Sequence, residues 1–247
     1  MFRLLAMIFS AALLSGCQQT PASAQLSEPQ RDEVREIVRA YIVENPEIIE
    51  EALIELQRRA QARELESYYT GIEARHADLY DDPRDARIGG SDPDVVIVEF
   101  MDYKCSYCRV ANDWVTDVRE RYGDRVQFIF KEYPILGPDS LEAARAALAA
   151  LRQGPEVYEI FHRAMINASG ALPAARIDQL AALSGVDVAQ MRTDMEDEAI
   201  MAQIMDVRSL GQSLDISGTP FFIVDGEVVA GANQMALEAA LQAGLGG

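Results

Sequence analysis

The spacing of apolar positions changes character along the chain. Val34, Ile37, Val38, Tyr41 and Ile42 recur at three- and four-residue intervals. After Asn45-Pro46 the stripe resumes through Ile48, Ile49, Ala52, Leu53, Leu56 and Ala60, with Leu65, Tyr68 and Tyr69 extending it. That period predicts two amphipathic helices. Ser27-Glu28-Pro29-Gln30 has capping-box spacing with Pro in the first turn, and Asn45-Pro46 ends the first helix and caps the second. The opposite face carries Glu50, Glu51, Arg58, Arg59 and Arg63. Residues 25–80 therefore read as a helical arm whose stripe packs on the main domain or on copies of itself. Pro46 interrupts any heptad register. The stretch 81–94 is rich in Gly, Pro and Asp, as a linker or loop is, and the domain boundary is placed within or just before it.

From Val95 to Phe100 the pattern switches to a continuous apolar run broken only by Glu99, as in a strand buried on both faces. A helix is expected from Cys105 to about Arg121, then a second strand at Val126–Lys131. Residues 139–210 look helical throughout, with openings at Ser140, Pro155, Leu172-Pro173 and Val186-Asp187. Strand pattern returns at Phe221–Val224. Asp225-Gly226 is a hairpin signal, Val228 and Val229 return from it, and Asn233 caps a last helix. The class is α/β: a sheet domain over residues 85–247 interrupted by a helical insert, preceded by the helical arm.

Charge narrows the function. Forty acidic against 22 basic residues give a net charge of −18 and a pI of about 4.4. Nucleic acid and anionic membranes both require a basic patch, so neither is an expected partner. At the N-terminus, Arg3 precedes an apolar run too short to span a bilayer, followed by small residues, which is the pattern of a secretory signal. Leu14-Ser15-Gly16-Cys17 resembles a bacterial lipobox, making residues 1–17 the signal and Cys17 a lipidated anchor. Cleavage after Ala24 is the alternative. Either reading exports the protein and leaves the mature chain one cysteine pair besides any lipidated Cys17. One pair is too few for a disulfide scaffold and points to redox use.

That pair lies in Cys105-Ser106-Tyr107-Cys108, where a strand hands over to a helix. Unpaired N–H groups and the positive end of the helix dipole face the first sulfur and favour its thiolate, the reactive form. Lys104 and Arg109 are expected to add positive charge. Glu99 either reaches water at the strand end or lies beneath the cysteines and shuttles the proton of Cys108, with Lys131 across the sheet from it. Zinc needs further ligands, and His76 and His162 fall in separate helical segments as surface or packed residues. Haem attachment needs His where Arg109 stands. Met191, Met195, Met201 and Met205 have core spacing. No metal and no cofactor is expected.

The order strand, Cys-x-x-Cys, helix, strand, helical insert, Thr219-Pro220, hairpin and helix is similar to the DsbA-type branch of the thioredoxin superfamily. The run Val98-Glu99-Phe100-Met101-Asp102-Tyr103-Lys104-Cys105-Ser106-Tyr107-Cys108 looks like its active-site block. Tyr41-Ile42-Val43-Glu44-Asn45-Pro46-Glu47 resembles the suppressor-of-copper-sensitivity protein C subgroup. The resemblance implies a thioredoxin fold with an inserted helical domain. It implies Cys105 as exposed nucleophile and Cys108 as buried resolving thiol, joined as the redox disulfide. It makes Pro220 a cis-proline that pairs with a peptide substrate, beside Thr219, and makes Glu99 the buried acid. Ser106, Tyr107 and Thr219 become substrate-contacting positions. Because Ser106-Tyr107 lacks histidine, a less oxidising couple is expected. Thr219, Tyr107 and the arm favour a disulfide isomerase, trimeric through residues 25–80, over a DsbA-like oxidase. Its partners are exported proteins with disulfides and a membrane redox protein, and its place is the periplasm. A reading of another class has the two thiols serve as soft copper ligands, or the protein serve as an adaptor.

Overall fold

The computed structural model describes residues 26–246. Cys17 and the alternative cleavage after Ala24 lie outside the described residues. The chain divides into two compact units between Arg58 and Arg59.

The first unit holds α1 (Glu28–Glu44) and the beginning of α2 (Glu47–Ala74). Ser27 opens α1 with its N–H donating to Gln30 Oε1 at 2.9 Å, and Asn45 closes it by donating to the Tyr41 carbonyl at 2.8 Å. No residue of α1 is buried, and Val34, Ile37, Val38 and Tyr41 are 45–60% exposed. Ile49, Leu53 and Leu56 on α2 are exposed as well. The predicted stripe exists and is uncovered within this unit.

The second unit is built on a five-stranded sheet in the order β1-β3-β2-β4-β5. Its strands are β1 (Ala86–Gly89), β2 (Val95–Met101), β3 (Val126–Glu132), β4 (Phe221–Val224) and β5 (Glu227–Ala230). β2 and β3 run parallel and the other pairs antiparallel. The remaining helices are α3 (His76–Tyr80), α4 (Ser106–Tyr122), α5 (Pro138–Leu151), α6 (Pro155–Ile166), α7 (Ala174–Leu183), α8 (Val188–Asp194), α9 (Glu198–Ser213) and α10 (Gln234–Leu245). Alternation along the strands sorts the side chains to two faces. Ile97, Met101, Phe128, Phe130 and Phe222 pack with Trp114, Val118, Phe161 and Leu237, so α4, α6 and α10 cover that face. Val98, Phe100, Ile129, Phe221 and Ile223 pack with Ile72, Leu79, Val207 and Leu210, from α2, α3 and α9. Each such aliphatic or aromatic side chain contributes roughly 1.5–3 kcal/mol by leaving water. Both faces covered is why the central strands read as unbroken apolar runs.

The stretch expected to be a linker, 81–94, contains an edge strand. Its glycines serve close approach, not flexibility. A Cβ on Gly89 (φ +118°) would sit 2.1 Å from the Val126 carbonyl oxygen, and one on Gly90 would sit 1.9 Å from that of Asp124. The expected boundary also moves toward the N-terminus: Tyr68 packs on Phe221, and Ile72 and Leu79 are buried against the sheet. The insert runs through five helices, α5 to α9. The last opens at Asp197, whose carboxylate accepts the Ala199 N–H at 2.9 Å, a start the apolar pattern did not mark. Asp225 and Gly226 both have positive φ (49° and 88°), as a two-residue type I′ hairpin turn requires. Met191 and Met195 are core, whereas Met205 is exposed, against the core placement expected for it.

Candidate active site

β2 ends at Met101, and three residues turn the chain into α4. Asp102, 2% exposed, holds that turn: its carboxylate accepts the Lys104 N–H at 2.8 Å and, from the loop after β3, those of Ile135 (2.9 Å) and Leu136 (3.0 Å). The Cys105 N–H donates to the Asp102 carbonyl at 2.9 Å. Cys105 thus becomes the N-cap residue of α4, and Cys108 lies one turn inside the helix.

Both cysteines are free thiols. Cys105 is 7% exposed and Cys108 1%, so the residue expected to be the exposed nucleophile is largely covered and presents only an edge. Its Sγ lies 3.1 Å from the Thr219 carbonyl oxygen, and the Thr219–Pro220 peptide bond is cis. Pro220 is fixed from its other side, its carbonyl accepting the Gly231 N–H at 2.8 Å. Ser106 and Tyr107 project outward, Tyr107 being 66% exposed. Leu136, tied to Asp102, is exposed as well.

The two sulfurs are driven apart in acidity. Hydrogen bonding from the Cys108 thiol, with the backbone N–H groups of Cys108 and Tyr107, outweighs burial and lowers Cys105 to about 5. Burial, the bond to Cys105 and the charge of Glu99 push Cys108 far upward. The positive charge expected from neighbouring side chains is not what does this. Lys104 pairs with Asp139 at 3.4 Å, and Arg109 donates to the Ile166 carbonyl at 3.2 Å.

Glu99 is 4% exposed and shares a sheet face with Ile97 and Met101, the face on which Cys105 and Cys108 are packed. Burial, then the charges of Glu132 and Cys105, push it up to about 8. Lys131 is not its neighbour, contrary to expectation. It stands opposite Phe100 on the other face, where its ammonium pairs with Asp85 and donates to the Asp78 carbonyl at 2.5 Å. The reading of residues missed Asp102, Glu132 and the cluster around it. Parity was the available signal: continuing β3 from Phe128 and Phe130 by two places puts Glu132 on the inner face. His162, expected to be a surface or packed residue, is buried against Tyr103.

Residues 81–243 match the family model described as Thioredoxin. The chain belongs to the thioredoxin family. Residues 30–63 match the N-terminal domain of copper resistance protein ScsC. Among solved structures, it is similar to Salmonella enterica Typhimurium BcfH, with 28% identity and a TM-score of 0.73, covering 87% of this chain and 95% of that one. A thioredoxin-like oxidoreductase from Silicibacter pomeroyi is 37% identical with a TM-score of 0.65, over 69% and 98% of the two chains. Proteus mirabilis ScsC in a transitional conformation is 28% identical with a TM-score of 0.66, over 91% and 99%. The chain spans about a quarter (24%) of the length of the first curated relatives, Na(+)/H(+) antiporters NhaA 1 of Mycobacterium strains, at 29% identity over 151 residues.

Proposed function

We propose that this protein catalyses thiol–disulfide exchange on exported proteins in the periplasm, acting as a disulfide isomerase or reductase. The observation that carries the reading is the split between the two sulfurs. Cys105, held as a thiolate at neutral pH, faces the backbone of Thr219 and cis-Pro220, while Cys108 is kept as a buried thiol. In the forward step the Cys105 thiolate attacks a substrate disulfide. A Cys105–substrate bond forms, the substrate S–S bond breaks, and the second substrate sulfur leaves as thiolate. Isomerisation follows when that thiolate attacks another disulfide of the substrate and the released sulfur returns to displace Cys105. If it does not, Cys108 gives its proton to Glu99 and attacks Cys105, closing the Cys105–Cys108 disulfide and ejecting the reduced substrate. Thr219 and Pro220 hold the substrate strand by its backbone, and Ser106, Tyr107 and Thr219 touch its side chains.

Two features favour isomerase over oxidase. No histidine lies between the cysteines, so the reduced pair gains less than in a strong oxidant. The arm presents an uncovered apolar stripe, which suits assembly into a homotrimer that shields the dithiol from a membrane oxidant. The leader pattern supports export, with lipidation at Cys17, and a membrane redox partner keeps the pair reduced. Reactivation of scrambled ribonuclease tests the direction. The reduced protein restores ribonuclease activity on this account. Failure there, together with rapid oxidation of a reduced peptide by the disulfide form, contradicts it. Light scattering of the full chain carrying Ile37→Glu and Leu53→Glu tests the assembly: the mass falls to that of one chain. An unchanged multimer removes the arm from the argument.

A further inference from the structure

A second buried acid lies on the cysteine side of the sheet and has no part in the exchange steps above. Glu132 closes β3 and is 2% exposed. Glu99 stands opposite Phe130 and Met101 opposite Glu132, so the two acids share a face, on adjacent strands and two residues out of step. Glu132 Oε1 accepts from the Tyr103 hydroxyl at 3.0 Å and the Tyr158 hydroxyl at 3.2 Å. Both hydroxyls also reach Nδ1 of His162, at 2.9 and 3.4 Å. The second oxygen, Oε2, is buried with no partner among the described residues.

Each tyrosine has one proton to give, so the cluster has two self-consistent arrangements. With Glu132 ionised, both hydroxyls donate to it and the imidazole donates Nδ1–H to them. With Glu132 protonated on its unpartnered Oε2, the Tyr103 hydroxyl turns to a bare Nδ1 and fills its one lone pair, Tyr158 keeps its bond to Oε1, and the ring carries its proton on Nε2. Burial and the Arg119 charge hold His162 neutral throughout, near 3. Tyr103 is also two residues before Cys105, so the cluster is continuous with the loop that presents the nucleophile.

We propose that Glu132 is a positioning residue for the resolving step, sharing its proton population with Glu99 and kept able to take up or release a proton by Tyr103, Tyr158 and His162. This rests on the exchange reading of Cys105 and Cys108. In that step Cys108 gives its proton to the Glu99 carboxylate, and the Cys108 thiolate attacks Cys105 Sγ. The Cys105–substrate bond breaks, the Cys105–Cys108 bond forms, and the substrate sulfur leaves as thiolate. Glu132 acts through its charge, which decides how readily Glu99 is ionised and how strong a base it is. Both acids are raised to about 8, burial being the largest cause in each; the tyrosine hydroxyls hold Glu132 below what burial alone would give, and the Glu132 charge supplies part of the rise in Glu99. The other groups acting on the pair are Cys105 on Glu99, and Asp102 and Asp85 on Glu132. Glu99 in turn acts on Cys108 and Tyr158.

Stopped-flow reaction of the reduced full chain with 5,5′-dithiobis(2-nitrobenzoate) separates the steps. The first thionitrobenzoate is released by Cys105 and depends on reagent concentration; the second is released by Cys108 and does not. Across about pH 5 to 10, the second phase of the wild type is expected to follow a broad, two-proton profile. In Glu132→Gln it narrows to one titration, with the upper midpoint about one unit lower, while the first phase keeps its profile. A second phase that superimposes on the wild type, or a parallel change in both phases, overturns the proposal. A second phase absent from the wild type overturns the exchange reading and this inference with it. Should the variant not fold, ¹³Cδ-glutamate NMR of the wild type decides: each of the two buried carboxyls must report both titration steps, and two independent single-step curves overturn the coupling.

Discussion

The sheet buries ionisable side chains on both faces, and the two sets are built on opposite principles. On one face Lys131 and Asp85, each side chain 1% exposed, form an ion pair that the Asp78 carbonyl completes. On the other, Glu99 and Glu132 are both acids, and neither is ion-paired with a cation among the described residues. Even with Lys131 against it, Asp85 stays raised, to about 6, so attraction does not fully offset the cost of burial. The acid pair goes further, to about 8 each. A paired charge on one side fastens an edge strand; acids without a cation on the other hold protons near neutral pH, and one of them, Glu99, interacts with both thiols. Position relative to the cysteines, not burial, separates structure from chemistry here.

The largest expected effect comes from breaking the ion pair. Lys131→Met leaves the Asp85 carboxylate buried alone and should cost about 3–5 kcal/mol in denaturant unfolding, with Asp85→Leu in addition recovering most of it. Neither change should move the pH profile of Cys105 alkylation, since neither Lys131 nor Asp85 is among the groups that set its acidity. Next, Glu99→Gln removes the proposed proton acceptor for Cys108. The second phase of the dithiobis-nitrobenzoate reaction should slow by about 10²-fold while the first is retained. An equal loss in both phases would place Glu99 with Asp85 as a packing residue.

A smaller effect lies in stability against pH. Glu99 and Glu132 ionise near 4.5 when unfolded and near 8 when folded. Between those values the folded state binds more protons, so stability is lost as pH rises from about 4.5 to about 8. Glu99→Gln should flatten that slope and gain roughly 1–3 kcal/mol at pH 8 relative to pH 5, read from melts at both. The smallest effect belongs to Ile37→Glu on α1, an exposed position. It should leave the unfolding of the second unit within about 0.5 kcal/mol, whatever it does to assembly.

Local chemistry made much of this legible beforehand. Ser27, Asn233 and the Asp225-Gly226 turn act where their side chains and backbone preferences placed them, and the unbroken apolar run at β2 announced a strand covered on both sides. The Cys105 N-cap followed from where the apolar run stopped. What failed depends on partners distant in sequence. β1 hides in a Gly- and Pro-rich stretch because its glycines answer to Val126 and Asp124, some 35 residues on. Lys104 and Arg109 looked like neighbours of the thiolate, but Asp139 and the Ile166 carbonyl draw them off. Strand alternation puts Lys131 on the face opposite Glu99, since it pairs with Phe100 and not with Glu99. The same alternation brings Glu132 to the inner face.

The most direct test is the pH dependence of Cys105 alkylation by iodoacetamide in the reduced full chain, with modification located by mass spectrometry. The account predicts half-maximal reactivity near pH 5, because Cys108 and the first turn of α4 hold the anion. A midpoint near 9, the value of an unassisted thiol, would contradict it.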